Sequence, residues 1–94
     1  MVADVSKLQN LQGRKMAVRA MLRAIEELPL LLEVCAAADQ DAAATQAAVA
    51  ERLQISDSEA QIMLSMQVIR FTPRFAAALR AELAEIEQAI DEFG

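Results

Sequence analysis

The chain has no histidine, no tyrosine and no tryptophan, one cysteine, two glycines and two prolines in 94 residues. Each shortage closes off a chemistry. Cys35, in the apolar stretch LLLEVCAAA, has no histidine to activate it as a nucleophile and reads as a buried, inert thiol. One cysteine forms no disulfide within the chain, and metal-ligand spacing is missing, so no metal or cofactor is implied. Three aromatic residues in a composition that is 55% apolar and rich in alanine suit helix packed on helix and leave little for strands. An all-α protein is expected. A net charge of −5 removes the electrostatic footprint of a nucleic-acid binder at the level of the whole chain. No apolar run approaches the roughly 20 residues that span a bilayer, and MVADVSKLQN has no signal-sequence character, so a cytoplasmic protein without membrane contact is expected.

What is present reads as one helical domain over residues 1–94, small enough that a partner chain would help to bury its apolar surface. Leu8, Leu11, Val18, Leu22, Ile25 and Leu32 recur at spacings of three, four and seven, predicting a long amphipathic first helix within residues 1–38. Pro29 falls inside that pattern and should kink the helix or divide it near Leu28. Asp39 and Asp41 compete as the N-cap of a short alanine-rich helix that runs to about Leu53. Ser56 and Glu59 have the spacing of a capping box, which starts a third helix. Thr72 as N-cap with Pro73 in the first helical position starts a fourth, over residues 73–93. Its apolar positions form two seven-residue ladders, Leu79/Ile86/Phe93 and Leu83/Ile90, a coiled-coil-like seam.

The two helices of residues 41–72 invite comparison with a helix-turn-helix DNA reader. Ala50 and Ile55 fit such a motif, but Gln54 stands where glycine is usual, and the second helix opens with Asp57 and Glu59. Its first basic residue is Arg70, so phosphates would meet an acidic helix N-terminus. Direct DNA binding is therefore expected to be weak or absent, and a helix-turn-helix regulator is the alternative reading. Taken as one helix, Ile62, Met63, Leu64, Met66, Val68, Ile69 and Phe71 spread over nearly the whole circumference. Such a helix is buried on more than one side, and a second subunit is expected to cover one of them.

The run ISDSEAQIMLSMQVIRFT, Ile55 to Thr72, resembles a segment of the A subunit of bacterial DNA gyrase and topoisomerase IV, matching at Ser56, Ala60, Gln61, Leu64, Met66, Arg70 and Thr72 without a gap. The flanking AELAEIEQAI, ERLQIS and LRAIEEL are similar to the neighbouring helices of that family. The resemblance implies the exit-gate dimerisation domain: a long antiparallel helical hairpin, here helices one and four, capped by a two-helix knob, here residues 41–72. It implies a homodimer, with Ile62, Met63, Met66 and Ile69 as knob core or dimer interface, and a stalk seam of Leu22, Ile25, Leu79, Leu83, Ile86 and Ile90. A gyrase or topoisomerase A subunit is the second partner it suggests. The departures are equally clear. The DNA-cleaving tyrosine is absent, Gln67 replaces an arginine, and Pro73 and Phe75 replace a glycine and a glutamate. No catalytic residue is therefore assigned. A small helical enzyme of the chorismate mutase type is less compatible, because Lys7 and Lys15 are the only lysines and no basic residue lies between Arg23 and Arg52.

A hairpin closed near residues 37 and 72 fixes a register by equal rise on both helices. Arg14, Arg19 and Arg23 would then lie opposite Phe93-Gly94, Ile90-Asp91 and Ile86-Glu87.

Overall fold

Proline and serine chemistry divides the chain before packing does. The computed structural model describes residues 2–38 and 41–93, which contain five α-helices, one three-residue 3-10 turn and no strand. Helix α1 spans Val2–Glu26 and α2 spans Leu28–Ala38, with Glu27 as a turn between them. Pro29 is the second residue of α2, where its missing N–H costs least, and the ladder resumes with Leu31 N–H donating to the Glu27 carbonyl at 3.0 Å.

Helix α3, Ala42–Leu53, is capped by Asp41, whose carboxylate accepts from the Ala44 amide at 2.8 Å. Asp39, the competing cap, lies outside the described residues. At the other end Gln54 has φ 56°, the left-handed conformation, and donates to Glu51, while Ile55 N–H reaches back to the Ala50 carbonyl at 2.9 Å. This is a Schellman closure with glutamine in glycine's place, and Ile55 packs on the core as its apolar anchor. A left-handed L-residue costs roughly 1–2 kcal/mol, and glycine's extra unfolded-state entropy offsets about half of that. Gln54→Gly is therefore expected to raise stability by about 0.5–1 kcal/mol, read as a higher urea midpoint at unchanged slope. A lower midpoint would show that the glutamine side chain holds something that outweighs the strain.

Helix α4, Asp57–Leu64, opens with a complete capping box. The Glu59 amide donates to Ser56 Oγ at 3.1 Å and the Ser56 amide to Glu59 Oε1 at 3.1 Å. The expectation of one helix carrying apolar residues as far as Phe71 does not hold. The Ser65 hydroxyl donates to the Gln61 carbonyl at 2.7 Å, its amide is shared between Gln61 and Ile62, and Gln67 is extended. A serine that satisfies the last turn with its own side chain competes with the next backbone bond. The chain then makes the 3-10 turn Val68–Arg70 and extends through Thr72, as a residue before proline must. Helix α5, Pro73–Asp91, starts where the Phe75 amide donates to Thr72 Oγ1 at 3.1 Å.

Two apolar clusters hold these elements. The first joins α1 to α5 through buried Val18, Leu22, Ala76, Leu79 and Ile86, with Ile25, Leu83 and Ile90 packed at its margin. The second joins α2, α3 and α4 to the end of α1 through Ala24, Leu31, Val34, Val49, Leu53, Ala60 and Met63. The molecule measures 47 × 29 × 19 Å, and its radius of gyration of 14.9 Å exceeds the roughly 12 Å of a compact chain this long. An elongated shape leaves more surface per residue uncovered.

The ion pairs correct the expected register. Arg14 meets Glu82 at 2.9 Å, Lys15 meets Glu87 at 3.8 Å and Arg80 meets Glu26 at 3.2 Å, whereas Arg23 turns to Glu27 one turn along the chain. Arg14 thus lies far from Phe93, and Gly94 falls outside the described residues. The physical reason is the break at Glu27. Helix α1 leaves α5 ten residues before the assumed closing point, and α2 swings away to pack on α3.

Candidate interaction surface

The break after α4 determines what the tip presents. Met66 and Phe71 pack on the second cluster from either side of the 3-10 turn, and between them Val68 and Ile69 stand 85% and 79% exposed. The turn is closed by Arg70 N–H to the Gln67 carbonyl at 2.9 Å and Phe71 N–H to the Val68 carbonyl at 3.0 Å. The Arg70 guanidinium sits over the Phe75 ring, 5.1 Å from its centre, tying the turn to the start of α5. The two β-branched side chains are held outward by an anchored backbone.

Beside this ridge lies an apolar groove of about 250 Å³ between α2 and the α4 end. Leu28, Leu31, Leu32 and Cys35 form one wall, and Met63, Leu64, Val68 and Phe71 the other. Leu32 is 59% exposed on its rim, and Leu64 is exposed as well. Single exposed apolar residues are ordinary on a protein surface, but a contiguous set around a groove is a candidate interaction site.

The four residues named from the sequence do not share one face. Met63 is buried, at 2% exposure, in the core of its own chain. Ile62 and Met66 are half-buried around a depression that includes Met21 of α1, and Ile69 stands out on the α5 side of the turn. The stalk residues Leu22, Ile25, Leu79, Leu83, Ile86 and Ile90 all fall in the α1–α5 cluster. Leu32 and Val68 are not among the interface residues that the resemblance implies. Leu32 reads as a core position when residues 1–38 are taken as one amphipathic helix, and only the division at Glu27 turns it outward.

Ser56, Glu59 and Thr72 are committed to helix caps, and α4 has no basic residue, with Asp57 and Glu59 in its first turn. Among the described residues no three His, Cys, Asp or Glu are grouped to hold a metal ion, and no helix is long and apolar enough to cross a membrane. No protein-family model matches the chain, and no curated protein matches it either.

Proposed function

We propose that the protein is a non-catalytic homodimerisation module built like the exit gate of a gyrase A subunit, with α1 and α5 as an antiparallel stalk and α2, α3 and α4 as the knob. One observation carries the reading: the exposed ridge Val68-Ile69 adjoins an apolar groove on the same tip. A ridge beside a groove is self-complementary about a twofold axis, so each of two copies can seat its ridge in the other. The sequence resemblance at Ser56 to Thr72 lies on the same segment and supports the same assignment. In this reading a gyrase or topoisomerase A subunit, which would offer a related tip, is a second partner. The groove is lined by apolar side chains and has no basic residue to meet phosphates, which argues against DNA as its ligand.

Sedimentation equilibrium is the decisive measurement. The expected result is a mass of two chains in the micromolar range, insensitive to added salt because the contact is apolar. A mass of one chain at high micromolar concentration would sink the proposal.

A further inference from the structure

We draw no further inference here: the strongest candidate, the exposed surface patch of Ile69, Arg70 and Arg74 where the 3-10 turn meets the start of α5, adjoins the ridge already proposed for the dimer, and nothing in the structure shows what covers it.

Discussion

Met63→Ala is expected to remove about 2–5 kcal/mol of stability, the range for truncating a fully buried methionine to alanine. Met63 is 2% exposed in a core cluster drawn from four helices, so the lost side chain leaves a void that neighbours on separate elements cannot close together. A domain of this size has roughly 5–15 kcal/mol in all, and the melting temperature should fall by about 8–40 °C at about 4–8 °C per kcal/mol. The same substitution separates two roles for this residue. A core methionine shifts the urea midpoint equally at low and high protein concentration, whereas an interface methionine gives a deficit that depends on concentration. A shift below about 1 kcal/mol, or one seen only at low concentration, would show that Met63 is not a core residue.

The Val68→Glu/Ile69→Glu double variant should dissociate the proposed dimer while leaving the fold intact. Both side chains are exposed in the single chain, so the charges stay solvated and the monomer loses little. In the proposed dimer the same positions are buried. Each apolar side chain contributes about 1.5–3 kcal/mol on burial, and four of them amount to roughly 6–12 kcal/mol before the cost of association. A dimer dissociating near 1 μM has about 8 kcal/mol to lose, so losing these contacts and burying carboxylates in their place should raise the dissociation constant beyond measurement. Sedimentation with circular dichroism at the same concentration reads both halves of the expectation. A double variant that keeps the mass of a dimer would place the interface elsewhere, and one that loses helicity would show that Val68 and Ile69 support the monomer.

Local chemistry made part of this protein legible in advance. The box of Ser56 and Glu59, the Thr72 cap with Pro73, the Asp41 cap and the disturbance at Pro29 each depend on residues within one helical turn, so spacing alone carries them. The all-α character has the same origin, in alanine-rich composition and apolar spacing. Tertiary structure decided the rest. Helix α4 stops at Leu64, against a helical pattern that continues past it, where the following segment packs Met66 and Phe71 on the second cluster. Gln54 takes the left-handed conformation because α3 and α4 must both bury Val49, Leu53, Ala60 and Met63 in one cluster, which the chain reaches only through a sharp turn. Which charge faces which across α1 and α5 depends on where the two helices part company, and that follows from α2 packing on α3. The exposure of Leu32, Val68 and Ile69 was hidden for the same reason. An apolar residue in a periodic pattern looks the same whether it points at its own core or away from it, and only the arrangement of the other helices tells the two apart.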